Sequence, residues 1–342
     1  MMRRGVAFAL LSALLFGVSA PLAKLLLGQL DPWLLAGLLY LGSGVGLALL
    51  RPLLPRQGGR LAGADWPWLA AAVAAGGIVA PVLMMVGLAH SPAASAALAL
   101  NLEGVFTLGL AWLVFRENVD HRLLVGAAAI LAGAALLSWQ DNGGDGDWGL
   151  LAIAGACLAW AVDNNLTRKL SAGDAVQIAM IKGVTAGAVN TALALITGTA
   201  VPALAPALQA ALLGLVAYGL SLVLFVLALR HLGTARTGAY FSLAPFVGAV
   251  LAIPLLGETP TPLLAAAGLL MALGLYLHLT ESHAHDHVHD MLEHDHPHAH
   301  DEHHQHAHDG DAPATPHSHR HTHQRLVHRH PHYPDIHHRH VH

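Results

Sequence analysis

The sequence predicts an all-α membrane protein: ten transmembrane helices arranged as two inverted five-helix repeats, followed by a disordered, His-rich C-terminal tail. Three observations predict it. The body divides into ten apolar runs, only alternate connections between them carry Lys or Arg, and a stretch of the first half recurs in the second at a constant offset.

The composition sets the class. Of 342 residues, 55% are hydrophobic and only 11% charged, where soluble domains carry about 25% charged residues. The mean hydropathy is +0.53. Residues 1–280 hold 13 Lys/Arg and 11 Asp/Glu, whereas 23 of the 27 histidines lie after residue 282. The chain is therefore a nearly neutral apolar body with a polar tail. One cysteine, Cys157, sits in an apolar run. It can form no intrachain disulfide and reads as a small buried hydrophobe.

A membrane helix needs roughly 20 mostly apolar residues. Turn residues and charges place such runs near 5–27, 32–50, 66–88, 93–115, 121–139, 148–168, 174–197, 206–229, 234–256 and 261–279. The first could pass for a signal peptide, but equally apolar runs follow it, so it is read as a retained span. The runs are continuously apolar rather than alternating, which selects helices over a barrel.

Basic residues orient the chain. With Arg3 and Arg4 in the cytoplasm, the further cytoplasmic connections carry Arg51, Arg56 and Arg60, then Arg116 and Arg122, then Arg168 and Lys169, then Arg230 and Arg236. The opposite loops, "GQLDP", "HSP", "QDNGGDGD", "TGTAVPALAP" and "GETPT", have no Lys or Arg. The expected setting is a bacterial-type inner membrane, with the N-terminus and the tail both cytoplasmic.

The repeat links "HSPAASAALALNLEGVFTLGLAWLVFRE" (90–117) to "HLGTARTGAYFSLAPFVGAVLAIPLLGE" (231–258), an offset of 141 that aligns Glu117 with Glu258. A weaker match sets "FGVSAPLAKLL" on "WAVDNNLTRKL" at an offset of 144, with Lys24 on Arg168. Five spans per half is odd, so the halves enter the membrane in opposite senses, as in many secondary transporters. The expected units are 1–140, 148–280 and the tail 281–342.

These residues carry a resemblance. "LLFGVSAPLAK", "NLEGVFTLGLAWLVFRENV" (101–119) and "TARTGAYFSLAPFVGAVLAIPLLGE" (234–258) resemble the drug/metabolite transporter superfamily, in particular ten-helix members with two EamA-type repeats. The resemblance covers about residues 5–280. It implies a ten-helix bundle with a central pathway and secondary transport of small metabolites, often export. One departure stands out: where the second repeat has "LAPF" with Pro245, the first has "LEGV" with Glu103 and Gly104.

Ionisable groups at mid-bilayer cost about 2.5–3.5 kcal/mol on insertion scales, so each needs a partner, a wet cavity or a task. Glu103, near the middle of the fourth run, reads as a proton-coupling or cation-binding carboxylate, or else as a structural acid. Asp163, Asn164 and Asn165 sweep most of a helical turn, so they cannot share one cavity. Asp163 and Lys182 lie at similar depth and can pair; Lys182 could instead attract an anionic group of a substrate. Asn190 falls roughly on the face of Lys182. Lys24, near the end of the first run, is expected to snorkel to the interface. Together Glu103, Asp163, Asn164, Asn165, Lys182, Asn190 and Lys24 form the candidate pathway. Trp33, Trp66, Trp68, Trp139 and Trp148 read as interfacial belt residues. "GSGVG" (42–46) and "GAAAILAGAA" (126–135) read as close helix packing, and Pro21, Pro81, Pro245 and Pro254 as kinks.

No enzyme is expected. The serines of "GVSAP" and "GLSLV" lack a placed histidine base, and there is no HExxH, P-loop or strand–turn–helix GxGxxG. Nothing points to nucleic acid, and no cofactor is required by the body.

The tail lacks the apolar mass for a core and is expected to be disordered. Its histidines recur mostly at every second position. Residues 281–311 carry nine acids and no Lys or Arg; residues 312–342 carry four Arg and one acid. Imidazole binds zinc, nickel, cobalt or copper, and carboxylates complete a shell. The candidate ligands are His283, His285, His287, His289, His294, His296, His298, His300, His303, His304, His306 and His308. The leading expectation is a proton-coupled exporter of small metabolites with a metal-binding tail. Two alternatives stay open: a divalent-metal exporter fed by the tail, and a membrane-anchored metal buffer or sensor. The expected partners are the bilayer, a small solute and divalent metal ions, with a homodimer left open.

Overall fold

The computed structural model describes residues 2–54, 59, 61, 63–115, 121–140, 148–168, 170, 173–232, 237, 240–279, 283–289, 292–298, 317–323 and 326–332. It separates into two units, Met1–Thr280 and Glu281–His342. In the first, eight described helices are long and apolar enough to cross a membrane, from Arg4–Leu26 to Leu204–Phe225, and two shorter apolar helices, Ala244–Leu256 and Pro262–Leu277, follow. Each of the ten apolar runs thus contains a helix.

The first run is two helices, α1 (Met2–Gly17) and α2 (Ser19–Leu26). Pro21 donates no N–H to the carbonyl of Gly17, which marks the join. α3 (Pro32–Leu50) starts on Asp31, whose carboxylate accepts from the N–H groups of Trp33 and Leu34. The third run comprises α4 (Trp66–Ala72), a π-helix over Val73–Val79, and α5 (Ala80–His90). α6 (Ala93–Ala99) and α7 (Leu102–Phe115) form the fourth, and α8 (His121–Gln140) the fifth.

The second half opens with α9 (Trp148–Arg168) and α10 (Ala175–Ile196). Asp174 caps α10 as Asp31 caps α3, accepting from Val176 and Gln177; the two caps lie 143 residues apart. α11 (Leu204–Leu213), a second π-helix over Gly214–Leu220, and α12 (Ser221–Leu232) follow. Both ends of this π-helix lie 141 residues beyond those of the first. α13 (Ala244–Leu256) and α14 (Pro262–Leu279) close the body.

Small residues set the crossings. α3 and α10 meet where Gly44 faces Gly183, and Gly187 faces Leu41. A β-carbon on any of these glycines would meet the other helix's main chain, so the crossing requires glycine. α8 packs on α14 through Gly133 against Met271 and Gly274 against Gly126, both glycines of α8 belonging to the 126–135 run. Gly17 and Gly248 bring α1 onto α13. Polar ties supplement them. Ser12 Oγ donates to the Ser221 carbonyl at 2.7 Å and Ser221 Oγ donates to that of Ser12 at 2.9 Å. This accounts for the "GLSLV" serine as an interhelical tie.

In the tail, β1 (His283–His289) pairs antiparallel with β4 (Leu326–His332), and β2 (Leu292–His298) with β3 (His317–His323). Histidine at every second position matches the period of a strand, and the register sets Asp286 opposite Arg329 and Asp295 opposite Arg320.

Candidate functional site

The site is built around the first π-helix. There the N–H of Ala80 reaches back to the carbonyl of Ala75, five residues earlier. In that register the carbonyl of Gly76 would take the N–H of residue 81, and Pro81 has none. Side chains fill the vacancy. Tyr40 Oη donates to the Gly76 carbonyl at 2.8 Å and Trp160 Nε1 donates to it at 3.1 Å. Asn190 Nδ2 donates to the Gly77 and Ile78 carbonyls at 3.2 and 3.3 Å. Three helices, α3, α9 and α10, are thereby tied to one turn.

Gly76 also lies directly against the carboxylate of Asp163, where a β-carbon would overlap it. Lys182 Nζ donates to Oδ1 and Oδ2 of Asp163 at 2.6 and 2.5 Å, and Thr167 Oγ1 donates to Oδ1 at 2.8 Å. The side chains of Lys182 and Asp163 are 16% and 8% exposed, so this is an interior ion pair with its lone pairs largely occupied.

Glu103 is placed by a break in the fourth span. Asn101 turns its Nδ2 back onto the carbonyl of Leu98 at 2.8 Å, a local bond that competes with helix continuation. The N–H of Glu103 then reaches only to the carbonyl of Leu100, three residues back. α7 restarts with Glu103 in its first turn, at the positive end of the half-helix dipole. Asn164 Nδ2 donates to Glu103 Oε1 at 2.7 Å. Among the described residues no basic side chain pairs with Glu103.

The structure thus brings together Glu103 with Asn164, and Asp163 with Lys182, through adjacent residues of α9. Asn165 points elsewhere and donates to the Ala161 carbonyl of its own helix. Asn190 is fully buried and serves as a helix tie. Lys24 Nζ donates to the carbonyls of Leu88, Ala89 and Ser91 at 2.5, 3.2 and 2.9 Å, at the end of α5 where terminal carbonyls need donors. His90 is exposed, with Nδ1 2.8 Å from the Val86 carbonyl.

Sequence reasoning missed Tyr40, Gly76, Trp160 and Thr167. "GGIVAP" (76–81) was the available signal, since a Gly pair five residues before a proline breaks an apolar helix where it can expose carbonyls. Aromatic rings continue from the cluster. Tyr40 contacts Tyr218, Tyr218 contacts Phe16, Phe16 contacts Phe241, and Phe241 contacts Phe225, with centroids 4.9–5.7 Å apart.

Among the described residues of the body, no group of three His, Cys, Asp or Glu is arranged to hold a metal ion. Of the candidate tail ligands, His300, His303, His304, His306 and His308 lie outside the described residues. For the other seven only the backbone is described. The side chains of Trp139, Arg168, His231 and His278, and all of Glu117 and Lys169, also lie outside them.

The model of the EamA-like transporter family matches residues 3–139 and again 147–280. The chain belongs to the EamA-like transporter family. It is a multi-pass membrane protein, as its apolar helices require. An uncharacterized transporter of Methanothermobacter thermautotrophicus is 28% identical over 287 residues, 77% of this chain and 82% of that protein. A probable terminal-alkyne amino-acid exporter of Streptantibioticus cattleyicolor is 27% identical over 214 residues, covering 61% and 72%. A solved crystal structure shares the fold with a TM-score of 0.59 at 20% identity, over 81% of this chain and 97% of that one.

Proposed function

We propose that this family member is a secondary, proton-coupled exporter of small amine-bearing metabolites, working by exchange between two inverted five-helix halves. One observation carries the coupling: the first-turn Glu103, held by Asn164, beside an ion pair that is already internally neutral. Asp163 and Lys182 cancel, so the remaining acid of the cluster is the group able to take up one proton. The amine-bearing class is supported by the adjoining aromatic rings and by the relative named for amino-acid export.

Exchange between halves is supported by their correspondences. The family model matches twice, the π-helices recur at an offset of 141, and the Asp31 and Asp174 caps recur at 143. The loop charges support an N-terminus in the cytoplasm. Transport rather than catalysis is the proposed activity. The His-rich tail is proposed to bind divalent metal as an accessory.

Full-length protein in liposomes, preloaded with an amino-acid panel, tests the solute class by counterflow. Exchange of at least one labelled amino acid above that of protein-free liposomes is expected; no exchange across the panel would overturn the class. For the tail, equilibrium dialysis against Ni²⁺ should give several ions bound per full-length chain and none after deletion of residues 283–342.

A further inference from the structure

Lys24 and Glu258 act on the two sides of one short turn. Lys24, on α2, donates to the carbonyls of Leu88, Ala89 and Ser91 at the end of α5. Glu258, just beyond α13, accepts from the N–H of Ala93 at 2.6 Å through Oε1 and from that of Ala94 at 2.9 Å through Oε2. Ser91 and Pro92 lie between. A cation therefore holds the carbonyl end of one helix and an anion the amide end of the next, each at the pole that suits its charge.

We propose that Lys24 and Glu258 form a latch that keeps the transport path shut on the face poor in Lys and Arg, and that it releases during each cycle. Three features separate a latch from ordinary helix capping. First, Glu258 belongs to the second match of the family model and its donors to the first, so it joins the halves that must separate. Second, both side chains are only partly buried, so water can replace the protein groups when the bonds open. Third, every partner is main chain, so a small shift of the turn from residue 88 to residue 94 breaks all five bonds together. Packing beneath the turn is tight: Ala97 is fully buried and contacts Gly248 of α13. Water reaches Ala97 from that face only when α6 and α13 part.

The latch rests on the transport reading and its orientation, but its test reads water access and not flux. Full-length protein carrying Cys157→Ala and Ala97→Cys is expressed in cells and treated from outside with a membrane-impermeant maleimide. The parent should label slowly. K24Q and E258Q should each label at least ten-fold faster, and the charge-preserving K24R and E258D should return to near the parental rate. Hydrogen–deuterium exchange of the same purified proteins should rise over residues 88–98 and stay unchanged at the α3–α10 crossing, which also shows that the fold persists. Labelling and exchange within two-fold of the parent in both K24Q and E258Q would overturn the latch. So would a melting temperature that falls with no change in labelling, the signature of capping alone. Faster labelling in a protein that exchanges no amino acid would leave the latch standing and remove the proposed solute class.

Discussion

Lys182 holds both carboxylate oxygens of Asp163, at 2.5 and 2.6 Å, on a spot where Gly76 leaves room for nothing larger than hydrogen. Removing one partner strands a buried charge, which costs about 3–5 kcal/mol. D163N and K182M should therefore each lower the melting temperature of the detergent-solubilised protein markedly. The neutral double variant D163N/K182M should recover most of the loss. Additive losses would show that the two side chains do not act as a pair.

Gly76 and Gly104 make a matched contrast. A β-carbon at Gly76 meets the Asp163 carboxylate, whereas one at Gly104 meets nothing within 4 Å. G76A should destabilise by about 1–3 kcal/mol, the usual range for overpacking. G104A, one residue from Glu103, should leave the melting temperature unchanged. Equal effects in thermal unfolding would contradict the packing assigned to the π-helix.

The two N-caps predict an asymmetry. Asp31 and Asp174 make the same backbone contacts, but Asp174 is also ion-paired with Arg51. Loss of a cap costs about 1 kcal/mol. D31A should show that loss and D174A a larger one. In an R51A background D174A should shrink towards the cap value.

Ser12 and Ser221 exchange reciprocal bonds between α1 and α12. Intramembrane hydrogen bonds average about 0.6 kcal/mol in double-mutant cycles. A cycle of S12A and S221A should return a coupling of that order, and zero coupling would remove the tie.

Much of this fold was legible before the structure. Runs of apolar residues mark helices because lipid leaves no other way to pair the backbone, and "GSGVG" marked the α3–α10 crossing. The interruptions were less legible. A π-helix and an α-helix need the same apolar residues, so Val73–Val79 and Gly214–Leu220 carried no separate signature beyond Gly and Pro. The break at Leu100–Asn101 turns on one asparagine bonding its own backbone, a choice that composition does not reveal. The span position of Lys24 is visible in sequence, but its acceptor carbonyls of Leu88, Ala89 and Ser91, about 65 residues away, are not. The polar cluster was visible in its charged members and hidden in Tyr40, Trp160 and Thr167, whose roles depend on which helices become neighbours. The tail's alternating histidines were read for metal chemistry, while the same alternation is also the period of the strands β1–β4.

Glu103 is the proposed proton-exchanging group. The direct measurement is proton movement driven by an amino acid in liposomes containing the full-length protein, followed with an internal pH dye at several external pH values. The wild type should show solute-driven proton flux that varies with pH. E103Q keeps a neutral partner for Asn164 but has no proton to exchange. It should show solute exchange with no accompanying proton flux and no pH dependence. Proton flux in E103Q equal to the wild type, with the same pH profile, would contradict the account.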